Sequence, residues 1–147
     1  MSLASDARFW DRTSRKYARS AISDQAGYER TVERTRTLLR SGDRVLELGC
    51  GTGTTALRLA GDVRDYLATD VSTGMIAIAN EKHAVAPIPS LAFRAATAEA
   101  IAPEAAPFDA ALGAIWGASA WLVPLAATRR RSSDSMKRFL RNAAIAS

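Results

Sequence analysis

A glycine-rich stretch with one acid before it and another after it carries the strongest chemical signal in this sequence. It reads VLELGCGTG over 45–53, and Asp70 follows 21 residues after Gly49. Glycines permit a positive φ and let a ligand lie against bare backbone, and a helix that follows offers its first amides and the positive end of its dipole. A carboxylate at the end of the next strand can accept the two hydroxyls of a ribose. These residues therefore predict a nucleoside-binding turn.

The details of the turn indicate which class of ligand it would bind. Position 54 is Thr, where the usual dinucleotide pattern has Gly or Ala, and Glu47 brings a negative charge close to the glycines. A pyrophosphate would be repelled by that charge, whereas a cationic amino-acid cofactor would be attracted by it. No G-K-[ST] follows, which excludes a nucleoside triphosphate loop. A tight turn that binds no ligand is the alternative interpretation.

The elements that must position these residues alternate along the chain. Strands are predicted at 44–48, 65–70, 90–95 and 108–113, and helices at 24–39, 54–59 and 72–83; residues 9–17 are predicted to form a helix or an arm. Asp24 is the expected N-cap of the second helix and Gly42 its expected terminating glycine. Strands that alternate with helices indicate βαβ units. The expected fold is α/β, a Rossmann-like parallel sheet with helices on both faces, incomplete at its C-terminal end.

The sequence resembles the class I S-adenosylmethionine-dependent methyltransferases, and in particular their small-molecule branch. ELGCGTG, followed by a helix and then by ATD, matches the first two motifs of that family. AATAEAIAP at 95–103 is similar to its loop after strand three, and FDAALG to its fourth strand. FWDRTSRKYARS resembles the N-terminal arm that covers the cofactor in such enzymes. The resemblance covers about residues 5–114.

The resemblance implies S-adenosylmethionine as the cofactor and no metal ion. Glu47 and the backbone at Gly49 would hold the methionine end, and Asp70 would bind the ribose. The other implied contacts are Gly51 and Gly53 shaping the pocket, Val71 and Met75 flanking the adenine, Thr97 and the amide of Ala98 at the adenine edge, and Tyr17 closing over the sulfonium. The family often has an aspartate where Thr97 stands, which implies weaker adenine binding. No catalytic base is assigned, because displacement at a sulfonium needs chiefly alignment and desolvation.

The segment after Gly113 departs from the family pattern. We predict a methyltransferase domain at 1–114 and an atypical tail at 115–147, foreign to the fold, with an amphipathic helix at 133–146. A tail of this length is too short for a further helix, a fifth strand and a late hairpin at about 30 residues per βαβ unit. Strand four would then be an exposed edge that invites self-association, and weak cofactor binding and impaired turnover are expected.

The distribution of charge and the number of cysteines indicate which partners and which cellular compartment to expect for the protein. The net charge of +5 comes from residues 129–147, which hold six of the 20 basic residues and one of the 15 acidic residues. Six charges without interleaved aromatic residues are typical of a solvated patch, so no nucleic-acid partner is expected. Charged residues interrupt the N-terminus early, and Cys50 is the single cysteine. A cytoplasmic protein is therefore expected.

Three functions remain open at this point. The first is a methyltransferase acting on a small-molecule acceptor. The second is a non-catalytic cofactor-binding or scaffold module that requires a partner. The third is a membrane-associated protein, because residues 110–127 are 18 uncharged residues in a row, close to the minimum for a span. That run contains a proline and overlaps the fourth strand, so stable membrane insertion is not expected.

Two further residues could carry chemistry but have simpler interpretations. Cys50 lies near a helix N-terminus, where the pKa of a thiol can fall, although a small residue that fits the turn is the simpler interpretation. His83 is the only histidine, and we expect it to be solvated at a helix end.

Overall fold

The computed structural model describes residues 3–19, 22–101, 108–115 and 119–124, which alternate between helices and strands. In chain order the elements are α1 (Leu3–Ala18), α2 (Gln25–Leu38), β1 (Arg44–Leu48), α3 (Thr54–Leu59), β2 (Asp65–Asp70), α4 (Thr73–Val85), β3 (Leu91–Ala95), α5 (Ala98–Ile101), β4 (Ala110–Ile115) and β5 (Ser119–Pro124). A short 3-10 helix, Ala60–Asp62, follows α3. The helix predicted at 133–146 lies outside the described residues.

The strands form one sheet in the order β3-β2-β1-β4-β5. β1, β2, β3 and β4 run parallel, with Glu47 of β1 opposite Ala68 of β2 and Leu112 of β4. The α/β fold expected from the sequence is therefore confirmed. Because the carboxyl ends of parallel strands lie at one edge of a sheet, the segments that follow β1, β2 and β3 meet there.

The end of the sheet differs from the prediction. β5 pairs antiparallel with β4, with Leu112 opposite Leu122 and Ile115 opposite Ser119, so strand four is not an exposed edge. Residues 116–118 alone separate the two strands, a spacing typical of a hairpin. The prediction was wrong because it expected a helix between strand four and the strand beside it, whereas an antiparallel partner needs no crossover helix. The predicted self-association through the strand-four edge loses its structural basis.

The uncharged run at 110–127 is largely strand. Its residues 110–115 and 119–124 form β4 and β5. Within the ranges that the structure describes, no helix is both long enough and apolar enough to cross a membrane.

Apolar clusters pack on both faces of the sheet. Side chains of β1 alternate between the faces: Val45 faces α2, α3 and α4, and Leu46 faces α5. The first cluster includes Val32, Val45, Ala56, Leu59, Tyr66, Ile76, Leu91 and Leu112. The second consists of Leu46, Leu48, Ile101, Phe108 and Ala111. Helices therefore cover both faces, as predicted.

Local capping fixes where two helices begin. A carboxylate oxygen of Asp24 accepts a hydrogen bond from the Gly27 amide at 2.8 Å, and the hydroxyl of Ser72 accepts one from the Met75 amide at 3.1 Å. These side chains cap α2 and α4. Gly42 behaves differently from the prediction, since α2 ends earlier and Gly42 lies in the turn before β1 without a positive φ.

Candidate functional site

The turn between β1 and α3 has the backbone that its glycines suggest. Gly49, Gly51 and Gly53 have φ angles of 72°, 56° and 80°, in the left-handed region that favours glycine. At Gly53 an added Cβ would also lie 2.6 Å from the ring of Phe93. Conformation and space therefore both require glycine at this position.

Asp70 lies directly against this turn. Its Oδ2 accepts a hydrogen bond from the Gly51 amide at 2.9 Å, and its Oδ1 accepts one from the Ser72 amide at 2.9 Å. Its main-chain carbonyl accepts a third from the Ala96 amide, also at 2.9 Å. The segments after β1, β2 and β3 thus converge on one residue, and each carboxylate oxygen keeps a lone pair for a ligand hydroxyl.

Opposing effects act on the pKa of the Asp70 carboxyl group. Burial raises the pKa of Asp70, while hydrogen bonds from the backbone amides of Ser72, Gly51 and Val71 act to lower it. The amides that position the carboxylate therefore also stabilise its ionised form.

Thr69 fixes the start of the turn to β2, and the sequence analysis did not identify it. Its hydroxyl donates to the main-chain oxygen of Glu47 at 3.0 Å, and its carbonyl accepts from the Cys50 amide at 2.9 Å. The side chain is buried. Its position just before the acid of the ATD motif was the only available signal.

Glu47 is a buried acid beside the turn. It is 3% exposed, and its Oε2 accepts a hydrogen bond from the phenol of Tyr66 at 2.6 Å. Burial raises the pKa of Glu47 to about 7; the Tyr66 hydrogen bond acts to lower it, and the charge of Asp70 to raise it. A cation close to this carboxyl group would favour its ionised form.

The residues implied for the adenine follow β2 and β3. Val71 is half-buried, and Met75 is buried in the first turn of α4. The Thr97 hydroxyl accepts a hydrogen bond from the Ala100 amide at 3.2 Å, which leaves its oxygen one lone pair for a ligand. Ala98 packs against the second cluster. Their contacts with adenine stay predictions.

α1 docks on the beginning of α4 through Asp11. The Asp11 Oδ1 accepts hydrogen bonds from the Ser72 hydroxyl at 2.6 Å and the Gly74 amide at 2.8 Å, and these bonds lower the pKa of Asp11. An added Cβ at Gly74 would lie 2.9 Å from the Ser14 hydroxyl, so glycine permits the close approach. Asp11 was not among the residues that the sequence motifs implied for the site.

Tyr17 lies in the last turn of α1. Its side chain is outside the described part of the structure, so its contact with the sulfonium stays a prediction. α1 itself forms the helix that the sequence predicted for the arm, over a longer range.

Thr54, which distinguishes this turn from the dinucleotide pattern, has a structural partner. The ammonium group of Lys82 donates to the hydroxyls of Thr52 and Thr54, each at 3.2 Å, and burial lowers the pKa of Lys82. These contacts connect the far end of α4 to the start of α3.

Across the described ranges, no group of three or more His, Cys, Asp or Glu residues could hold a metal ion.

Cys50 and His83 have structural roles. Cys50 is buried, and burial raises the pKa of its thiol far above the usual range, so it does not carry a reactive thiolate. The Nε2 of His83 accepts a hydrogen bond from the Ile88 amide at 2.9 Å, and its ring packs edge-on against Phe93 at 5.9 Å. His83 lies in the last turn of α4 as expected, but it is half-buried rather than fully solvated, because it closes the turn between α4 and β3.

With this geometry established, comparison with known proteins identifies the family. A family model described as "Methyltransferase domain" matches residues 45–142, more than half of the chain, including the glycine turn and Asp70. The chain belongs to this family. The resemblance to class I S-adenosylmethionine-dependent methyltransferases is thereby confirmed. The matched range extends past Gly113, further than the motifs indicated, and the domain division at 114 stays a prediction.

Individual relatives match this chain, in sequence or in fold, over part of their length. A demethylmenaquinone methyltransferase from Beutenbergia cavernae is 41% identical over 71 residues, which are 48% of this chain and 28% of that protein. The structure of the DhpI-SAH complex has a TM-score of 0.62 and 23% identity, covering 96% of this chain and 63% of that one. The [4+2]-cyclase SpnF has a TM-score of 0.63 and 23% identity, covering 76% and 48%.

The chain therefore spans less than two thirds of the length of these relatives. At 23% identity the two solved structures show the fold alone. A cyclase among the structural neighbours illustrates that one fold can support different reactions.

Proposed function

We propose that this chain is an S-adenosylmethionine-dependent methyltransferase that acts on a small molecule. The main support is the hydrogen bond of 2.9 Å between the Gly51 amide and Asp70 Oδ2, because it brings the glycine turn and the acid into direct contact. A nucleoside cofactor needs both features: a carboxylate for its ribose and bare backbone against which the rest can lie.

In this proposal the residues of the chain bind and orient the cofactor. Asp70 accepts the ribose hydroxyls through the lone pairs that Gly51 and Ser72 leave free. Glu47 supplies negative charge for the ammonium group of the methionine end, and Gly49 lets that end approach the backbone. S-adenosylmethionine supplies an electrophilic methyl group, so alignment of the acceptor and exclusion of water are the main tasks of the protein.

A small-molecule acceptor is supported by the similarity to a demethylmenaquinone methyltransferase. We extend this proposal to a cytoplasmic location, for which the buried free thiol of Cys50 is consistent with a reducing compartment. Impaired turnover depends on residues 115–147 and stays a prediction, which steady-state kinetics with a panel of small acceptors would check.

Calorimetric titration with S-adenosylmethionine tests the proposed site. We expect Asp70→Asn to weaken binding by about tenfold or more, because the amide replaces an acceptor and turns its NH2 toward a backbone N–H. The matched control is Asp65→Asn, which changes the acid at the opposite, exposed end of the same strand and should bind as the unsubstituted chain does. Equal affinity of the two variants would contradict the proposal.

A further inference from the structure

Tyr66 and Glu47 form a polar pair inside an apolar layer. Tyr66 is 1% exposed and Glu47 is 3% exposed, and the surrounding cluster includes Val45, Leu59 and Ala68. A carboxyl group in such surroundings costs stability, and a single hydrogen bond offsets only part of that cost. Packing alone therefore does not explain the pair.

We propose that Tyr66 is a positioning residue for cofactor binding: its phenol fixes the orientation of the Glu47 side chain and stabilises its negative charge, so that the carboxylate can receive the ammonium group of the cofactor. This inference rests on the proposed function and assigns it a residue outside the glycine turn and Asp70.

The register of β1 and β2 explains how the phenol reaches the acid. Tyr66 lies opposite Val45, and Glu47 lies opposite Ala68, so Tyr66 and Glu47 are diagonal neighbours on one face. A long aromatic side chain can span that separation, and the hydrogen bond of 2.6 Å shows that it does. Since Thr69 holds the main-chain oxygen of Glu47, β2 fixes both the backbone and the side chain of the acid.

The charges around the pair predict how binding depends on pH. Burial raises the pKa of Glu47 to about 7, with Tyr66 acting to lower it and Asp70 acting to raise it. Cys50 from the turn and Tyr28 from α2 also act on the phenol of Tyr66, but Tyr28 is not among the groups that shift the pKa of Glu47. Because a cation favours the ionised carboxylate, binding below about pH 7 must release a proton, and cofactor affinity should fall as the pH falls.

Calorimetric titration with S-adenosylmethionine between pH 5.5 and 8.5 tests the inference. Tyr66→Phe keeps the ring and removes the donor, so the rise of affinity with pH should shift upward by about one pH unit, which is about fivefold weaker binding at pH 7 and approaches about tenfold at lower pH. Tyr28→Phe is the matched control: it removes a phenol from the same cluster whose partner is the Thr55 hydroxyl at 3.2 Å, and it should not shift the profile. The amino group of the cofactor titrates in the same way with every variant, so its contribution cancels when the pH profiles are compared.

A second variant and a second readout keep the test decisive. Glu47→Gln should bind more weakly and lose the rise of affinity between pH 6 and 8. Carboxyl 13C NMR of the protein without added cofactor should show Glu47 titrating at higher pH in Tyr66→Phe. Binding with the same profile in Tyr66→Phe and the unsubstituted chain would overturn the inference alone. Failure of the unsubstituted chain to bind at any pH would overturn the proposed function and the inference with it.

Discussion

At the scale of single residues, Gly53 must be glycine for two independent reasons. Its φ of 80° needs glycine, and the ring of Phe93 from β3 occupies the space of a side chain. The GCGTG pattern predicted the first requirement, because glycines cluster where φ is positive. The second depends on a residue 40 positions later in the chain, which no local pattern reveals.

Substitution at Gly53 should therefore destabilise the fold. Gly53→Ala is expected to lower the free energy of unfolding by about 1–3 kcal/mol, since the backbone is strained and the ring of Phe93 must move. Gly61→Ala is the matched control, because nothing lies within 4 Å of its added Cβ, and its effect should stay within about 0.5 kcal/mol. Urea unfolding measures both, and equal losses would contradict this explanation.

The residues of the proposed site differ in whether the local sequence indicates them. Glu47, Gly51 and Asp70 could be found because the motif and its spacing lie within one βαβ unit. Tyr66 and Thr69 could not, because their roles follow from the pairing of β1 with β2 and from side-chain reach across that pair. Tertiary contacts of this kind leave no periodic trace in the sequence.

At the scale of elements, the carboxylate of Asp11 joins α1 to the beginning of α4. Asp11 accepts from the Ser72 hydroxyl and the Gly74 amide, at the end of α4 where the helix dipole favours a negative charge. A second contact between the helices, Arg15 to Glu81 at 3.6 Å, is highly exposed. Exposed ion pairs contribute little, so Asp11 should dominate.

Loss of this carboxylate should release α1. In Asp11→Ala we expect hydrogen exchange of the α1 amides to accelerate by about tenfold or more, because hydrogen bonds to a charged group stabilise by about 1.5–3 kcal/mol. Glu81→Gln, which removes the exposed contact, should leave exchange nearly unchanged. Exchange measured by mass spectrometry distinguishes the two, and equal protection in both variants would show that other contacts hold α1.

Some of the helices and strands could be predicted from the sequence alone, and others could not. β1, β2 and α3 were predicted at their observed bounds, since hydrophobic runs and glycine turns delimit them. β5 was missed because the apolar run that contains β4 and β5 has no charged residue to mark where one strand ends and the next begins. Its antiparallel pairing with β4 is set by the sheet edge rather than by a local propensity.

At the scale of the whole molecule, a ligand that binds the folded chain must stabilise it. S-adenosylmethionine at about 100 times its Kd should raise the melting temperature by about 5–10 °C. NAD+ should produce no shift, because Glu47 would repel its pyrophosphate. Thermal unfolding monitored by fluorescence tests both expectations. A shift with NAD+ and none with S-adenosylmethionine would contradict the choice of cofactor.

Ser72 joins the first helix to the second strand, since its hydroxyl donates to Asp11 and its amide donates to Asp70. If a ligand on Asp70 changes the docking of α1 through Ser72, the docking of α1 changes the affinity of that ligand by the same free energy. A label on α1 would then report on occupancy of the proposed ribose site without touching it, and changes at the N-terminus of the chain would tune affinity from a distance.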